Sequence, residues 1–240
     1  MIDFPNPVLA PQDEDLVAIS QFSLAGELLA MNPDLIWPKQ TVFGSSWDVE
    51  VIHEAYRRGM FPMPFEIDGR NDAIGWWSPS IRAVFRPETF KPSTSTVKAA
   101  RSFTVSCDTA FESVVRACAD PRRDHGWIDE HVVATYCELH SRGQAHSVEV
   151  WQSGHLVGGL YGVEIGSVFA GESMFHTVTN ASKVALMALM SLLNDGARRL
   201  VDAQWMTAHL KSLGAISLTR EEYCRELAQL RDEKPAIFAM

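Results

Sequence analysis

Residues 170–190 read AGESMFHTVTNASKVALMALM, and the spacing of apolar residues changes within them. Up to about His176 the pattern suits a strand. From Ala181 it becomes helical, with Leu186, Leu189, Met190 and Leu193 on one stripe and Gly196 as a stop. A strand feeding a long amphipathic helix is a crossover unit, and a single carboxylate, Glu172, stands at its strand end among apolar and small residues. An isolated carboxylate there needs a donor, a cation or a chemical role.

Working upstream, HSVEVW alternates, Ser153-Gly154 turns the chain, and LVGGLYGVEIG and SVFAGESMF follow as strands, which predicts an antiparallel meander. Within it Gly158 and Gly159 mark a bulge or a close approach of another backbone or a ligand. Before the meander, FTVSC (Phe103–Cys107) reads as a strand. Two amphipathic helices come next, one bearing Phe111, Val114, Val115 and Cys118, the other starting near Asp129 and stopping at Gly143. Earlier still, the periodicity predicts a helix over 47–58 with Ser46 as a possible cap and Gly59 as its stop. FPMPF breaks that helix. Trp76-Trp77, followed by Ser78-Pro79, mark either a boundary where aromatic rings wedge two units together or plain core.

Downstream of Gly196, LVDAQ is a short strand, a helix runs through Leu210 to Leu213, and Thr219 with Glu222 forms a capping box for a last helix. The order is α/β (α+β), a mostly antiparallel start with one crossover helix, and it resembles the GNAT acyltransferase fold. Two units are expected, residues 1–80 as a small N-terminal domain and residues 81–240 as the catalytic domain.

Composition excludes several classes. A 46% hydrophobic content supports a folded core, and no continuous apolar run approaches the ~20 residues of a membrane helix. Four scattered cysteines without a CxxC pair argue for a reduced cytoplasm and against a disulfide or zinc framework. The net charge of −9 argues against a general nucleic-acid binder. That average conceals an asymmetry: residues 51–123 carry eleven Lys and Arg against eight Asp and Glu, or +3, which leaves −12 for the rest. Arg82, Arg86, Lys91, Lys98 and Arg101 recur there with only Glu88 between them, as a basic strip or as a merely solvated face.

No GxxxxGK[ST], HExxH, GxSxG or GxGxxG occurs, and the eight histidines lack a ligand spacing, so no metal site is expected. The carboxylates carry more. Glu172 and Asp202, the latter in LVDAQ, fall on neighbouring predicted strands, at the ends where ligands bind in such sheets. They converge there, or each caps a helix or pairs locally with Lys183 or Arg199.

HSVEVW, LVGGLYGV, GESMF, NASKVAL, LVDAQ and HLKSLGA, with AYRRGMFPMP and WWSPSIRAVF upstream, resemble the bacterial leucyl/phenylalanyl-tRNA–protein transferase family, from about Tyr56 to Ala215. The resemblance implies transfer of Leu or Phe, less well Met, from aminoacyl-tRNA to the α-amino group of a protein beginning with Arg or Lys, marking it for N-degron degradation. It implies no cofactor, with aminoacyl-tRNA as co-substrate. It also implies a cytoplasmic monomer with no membrane or DNA partner.

In the family the Asp and Gln of the LVDAQ-type motif are assigned to the reaction; here these are Asp202 and Gln204. Two apart on a strand, they point to one face. Asp202 is expected to orient the amine and accept its proton, with Gln204 holding the amine or the ester carbonyl, and Glu172 and Asp202 binding the cationic acceptor. Phe169, Met174, Leu186, Leu189, Leu193 and Val201 are the candidates for the donor side-chain pocket, with plain core as the alternative. Trp127, Tyr136, Tyr56 and Met63 are those for the terminal adenosine. Arg82, Arg86, Lys91, Lys98 and Arg101 are those for tRNA phosphates. Two departures stand out: Met63 replaces a common tryptophan, and Thr94 and Thr96 thin the basic run, so a modest salt slope is expected. An acyl-CoA-dependent N-acyltransferase on the same fold is the main alternative, but ESMFHTVTNASKV has no glycine with which to cradle a pyrophosphate.

Overall fold

The computed structural model describes residues 16–21, 41–44, 48–67, 70–120 and 128–238. Two strands precede the first helix, β1 (Leu16–Gln21) and β2 (Thr41–Gly44), in a region whose prolines gave no strand signal. Helix α1 (Val49–Arg57) is capped by Asp48, whose side chain accepts from Glu50 N, rather than by Ser46, which lies outside the described residues. Gly59 ends it at φ +80°, a conformation that favours glycine. The chain then forms β3 (Phe61–Ile67) and β4 (Arg70–Trp77), which complete a four-stranded sheet in the order β2-β1-β4-β3.

The larger sheet begins with β5 (Ile81–Phe85). Helix α2 (Thr94–Ala100), β6 (Thr104–Cys107), α3 (Phe111–Cys118) and α4 (Glu130–Ser141) follow. Then come the expected meander of β7 (Ala145–Gln152), β8 (His155–Ile165) and β9 (Val168–His176), and the crossover helix α5 (Ala181–Leu193). The chain closes with β10 (Leu200–Trp205), α6 (Ala208–Ser212), β11 (Ile216–Thr219) and α7 (Arg220–Leu230). The Thr219–Glu222 capping box is present. The seven strands lie in the order β11-β5-β10-β9-β8-β7-β6, and β9–β10 is the parallel pair that α5 connects.

Strand alternation splits the core across this sheet. One face carries Val114, Tyr136, Tyr161, Ala170, Leu200 and Tyr223 from β8–β10, α3, α4 and α7, together with Tyr56, Phe61, Trp76 and Trp77 of the N-terminal segment. The other carries Phe169, Val201 and the α5 residues Leu186, Leu189 and Leu193. Trp76 and Trp77 are buried, and Trp77 and Phe61 both pack edge-on against Trp205 of β10, with ring centres 6.0 and 4.9 Å away. The small sheet and the large one therefore share a hydrophobic core. Gly158 and Gly159 serve this packing rather than a ligand: a Cβ at Gly158 would lie 2.5 Å from the Ala181 Cβ, and one at Gly159 would lie 2.9 Å from the Val148 carbonyl.

Candidate active site

The strands β9 and β10 pair in parallel as far as Ala170 and Asp202. Just beyond, each carries one extra residue. On β9, Ser173 and Gly171 face Tyr161 and Gly162 of β8, which leaves Glu172 unpaired in the ladder. On β10, Asp202 and Trp205 are three apart while their partners on β5, Val84 and Arg82, are two apart. Bulges re-aim side chains. Here both send polar groups into the apolar core between the sheet and helices α1, α4 and α7.

Asp202 is fully buried and saturated. Its Oδ1 accepts from Arg82 Nε (2.9 Å) and from the Gln204 backbone N–H (2.8 Å); its Oδ2 accepts from Arg82 Nη2 (2.6 Å) and the Tyr223 hydroxyl (2.9 Å). Four donors fill about four lone-pair positions of one carboxylate. Arg82 in turn donates to the Gly59 carbonyl at 3.1 Å and lies over the rings of Tyr223 and Phe61. Burial alone would lower the Arg82 pKa, but the Asp202 carboxylate outweighs it and the guanidinium stays charged.

Glu172 sits beside this pair in a different state. Its Oε2 accepts from the Tyr136 hydroxyl (3.0 Å) and its Oε1 from Gln204 Nε2 (2.9 Å), with 6% of the residue exposed. The Tyr56 hydroxyl lies 2.6 Å from that of Tyr136, so the two tyrosines link α1 and α4 to Glu172 on β9. Burial pushes the Glu172 carboxyl up to about 7, against the Tyr56 and Tyr136 hydroxyls, which pull it down; the Asp202 charge adds to the rise. Burial and Glu172 push both tyrosines well above their usual range, so they remain neutral donors. Gln204 ties the two carboxylates together from a left-handed backbone, φ +61°, which a non-glycine residue adopts only when neighbours hold it there.

The structure thus brings Glu172, Asp202, Gln204, Tyr56 and Tyr136 together, and it corrects several expectations. Asp202 has no lone pair left for an incoming amine, because Arg82, Tyr223 and Gln204 occupy them. Arg82 is not a phosphate contact: it is 1% exposed and spent on Asp202. Arg86 forms a two-pronged pair with Glu226, so its charge is largely compensated. Lys91, Lys98 and Arg101 are exposed.

Tyr56 and Tyr136, 2% and 0% exposed, are not open stacking platforms. Met63 is half-buried against the core on the same face as the cluster, and Trp127 lies outside the described residues. Phe169, Leu186, Leu189, Leu193 and Val201 are buried in the core of the opposite sheet face, not beside Glu172 and Gln204, and only Met174 among the six is partly exposed. Tyr223 and Arg82 are the members of the cluster that sequence reasoning missed; the Arg82 partner is 120 residues away from Asp202 in the chain and leaves no local pattern.

The family model described as leucyl/phenylalanyl-tRNA protein transferase matches residues 84–228, and the model of that family's N-terminal domain matches residues 47–80. The chain belongs to this family. A leucyl/phenylalanyl-tRNA–protein transferase of Shewanella pealeana is 47% identical over 193 residues, covering 79% of this chain and 80% of the relative. Those of Vibrio parahaemolyticus and Zymomonas mobilis are 44% and 45% identical, covering 81% and 75% of this chain and 82% and 68% of their own. The Glu172–Gln204–Asp202 cluster lies inside the first matched segment, and Tyr56 and Phe61 inside the N-terminal one. Among solved structures, a conserved protein from Bacteroides thetaiotaomicron aligns with TM-score 0.43 at 8% identity over 65% of this chain and 57% of its own. A GCN5-related N-acetyltransferase-like protein from Streptococcus suis aligns with TM-score 0.35 at 12% identity over 75% and 67%.

Proposed function

We propose that this family member moves Leu or Phe from aminoacyl-tRNA to the α-amino group of a protein beginning with Arg or Lys, and that Glu172 rather than Asp202 handles the proton. The observation that carries the reading is the bond of Gln204 Nε2 to Glu172 Oε1 beside a saturated Asp202. The aminoacyl ester is already activated, so neither ATP nor a metal is required for attack.

In the reaction the peptide amine adds to the ester carbonyl carbon. A C–N bond forms, the bond from that carbon to the ribose oxygen breaks, and one amine proton ends on the released ribose hydroxyl. A carboxyl that titrates near 7 can take that proton and return it, because both of its forms are populated at neutral pH. Gln204 has one amide hydrogen committed to Glu172; its amide group is suited to hold the amine or the carbonyl oxygen. Asp202 is a positioning residue. Its Oδ1 fixes the Gln204 backbone in the left-handed conformation from which the side chain reaches Glu172. Proximity supplies much of the remaining acceleration. Lys91, Lys98 and Arg101 are the exposed cations left to meet tRNA phosphates, which fits a modest salt slope.

The test mixes the protein with Leu-tRNA and an Arg-starting peptide and follows the peptide mass. A gain of one leucine residue is expected, and no product with acetyl-CoA as donor. Acetylation without leucylation would replace this reading with the acyl-CoA one.

A further inference from the structure

One turn past Tyr136 and on the same face of α4, a second polar group converges. His140 ends α4, His146 opens β7 just past the turn at Gly143, and Asp108 follows β6 at φ +55°. One ligand atom from each of Asp108, His140 and His146 lies within 4.8 Å of the other two. His146 Nδ1 is 2.7 Å from Asp108 Oδ2, and His140 Nδ1 is 3.9 Å from Asp108 Oδ1 and 2.8 Å from the Ala145 carbonyl oxygen. Three elements therefore bring two imidazole nitrogens and a carboxylate to one spot.

We propose that Asp108, His140 and His146 form a binding site for a divalent transition ion, with zinc the best match. Two imidazoles and a carboxylate are a borderline donor set suited to that ion. Zinc with ligands at about 2.0–2.1 Å in a tetrahedron needs donor atoms about 3.4 Å apart. The His146 Nδ1–Asp108 Oδ2 and His140 Nδ1–Asp108 Oδ1 separations, 2.7 and 3.9 Å, lie to either side of that value.

The surroundings fit as well. Metal-bound imidazoles point their other ring nitrogen at a carboxylate or carbonyl. His146 Nε2 makes no well-formed hydrogen bond, and its nearest acceptor is Glu164 Oε2 at 3.4 Å. The two imidazoles are perpendicular and each is held by stacking: His140 on Phe111 and His146 on Phe238, with centres 4.2 and 4.0 Å apart. Asp108 Oδ1 is fixed by the Ser147 backbone N–H at 2.8 Å. Charge decides between a proton and a metal. Asp108 and Glu164 bring two negative charges into one partly buried cluster; a proton on His146 balances one, and a dication balances both. The ion would displace the proton shared by His146 and Asp108 and the one that His140 Nδ1 donates to the Ala145 carbonyl, which moves to Nε2 of that ring, joining α4, β7 and the β6–α3 loop.

The test titrates chelator-treated protein with zinc by calorimetry and with cobalt by absorption, for the wild type, His140→Ala and Glu164→Gln. One zinc per chain is expected, stoichiometric binding lost in His140→Ala, and affinity weakened about ten-fold in Glu164→Gln. A cobalt spectrum without a sulfur charge-transfer band is also expected. Absence of stoichiometric zinc binding by the wild type, equal binding by His140→Ala, or a thiolate band from one of the four cysteines would overturn the site. Should His140→Ala fail to fold, the wild type suffices: cobalt must broaden the ring resonances of His140 and His146 first, and broadening of other histidines instead would overturn it.

Discussion

Gln204 gives its backbone N–H to Asp202 Oδ1 at 2.8 Å while its side chain gives Nε2–H to Glu172 at 2.9 Å, so one strained residue couples a fully neutralised carboxylate to a titrating one. Replacing Gln204 by Gly separates the strain from the chemistry. Left-handed backbone costs a non-glycine residue about 1–3 kcal/mol, which glycine does not incur. Gln204→Gly is therefore expected to unfold at the same denaturant concentration as the wild type or a higher one, while leucyl transfer falls at least ten-fold. A variant that loses stability and keeps its rate would assign Gln204 to the fold alone.

Asp202 is expected to behave in the opposite way. Breaking a buried ion pair from one side leaves a buried charge and costs about 3–5 kcal/mol, and Arg82 is 1% exposed. Asp202→Asn is predicted to lower the unfolding midpoint strongly along with turnover. Arg82→Met together with Asp202→Asn should recover part of the stability but little activity, read by denaturant unfolding and transfer assays on the same samples. A single variant as stable as the wild type contradicts the saturated-pair account.

Stability should also record the burial of Glu172. Its folded pKa, about 7, lies above the unfolded value of 4.5, so folding favours the protonated form. The contribution is present in full below 4.5 and is lost as pH rises through about 7. Glu172→Gln, always neutral, is therefore predicted to lose less stability than the wild type between pH 5 and 8 in denaturant titrations. Parallel curves for the two proteins would place the Glu172 pKa in its ordinary range.

Much of this was legible in the sequence because it is local. The glycine stops at Gly59 and Gly143, the Thr219–Glu222 box, the meander and the 3.6-residue stripe of α5 all follow from spacing, and all form. The approach of Glu172 to Asp202 was suggested by strand ends, with local pairing as the alternative, and Gln204 entered only through the family resemblance. What failed depends on long-range partners. A basic residue at 82 reads as a surface cation until the Asp202 carboxylate is placed opposite it by the β5–β10 pairing, and bulges at Glu172 and near Gln204 have no composition signal. The six apolar pocket candidates were correct as apolar, but strand alternation sends Phe169 and Val201 to the face opposite Ala170 and Leu200.

Close packing at Gly162 offers a check on the frame around the site. A Cβ there would lie 2.2 Å from the Ala170 carbonyl oxygen and 2.6 Å from the Phe169 ring. Gly162→Ala is predicted to cost about 1–3 kcal/mol from overpacking and to disturb the β8–β9 register next to Glu172. Gly196→Ala, with nothing within 4 Å but φ +89°, should cost only its backbone strain, about 1–2 kcal/mol, with transfer unchanged. Equal activity in both variants would detach the bulge from catalysis.

The exposed cations Lys91, Lys98 and Arg101 give a salt prediction. Each phosphate contact contributes about 0.7–0.9 to the slope of log affinity against log salt, so changing each to Gln should lower the slope for tRNA binding by about that amount. Arg86→Gln should change it less, because Glu226 already balances the charge. Filter binding from ~50 to 200 mM salt distinguishes the two. A larger loss from Arg86 would contradict the assignment.

The most direct measurement is kcat/KM for leucyl transfer to an Arg-starting peptide as a function of pH, for the wild type and Glu172→Gln. The wild type is predicted to rise through about 7, the value to which burial pushes Glu172, and again near the amine's own pKa of about 8. The variant should be slower and keep only the step near 8. A Glu172→Gln profile that retains the lower step at wild-type rate would show that another group takes the proton.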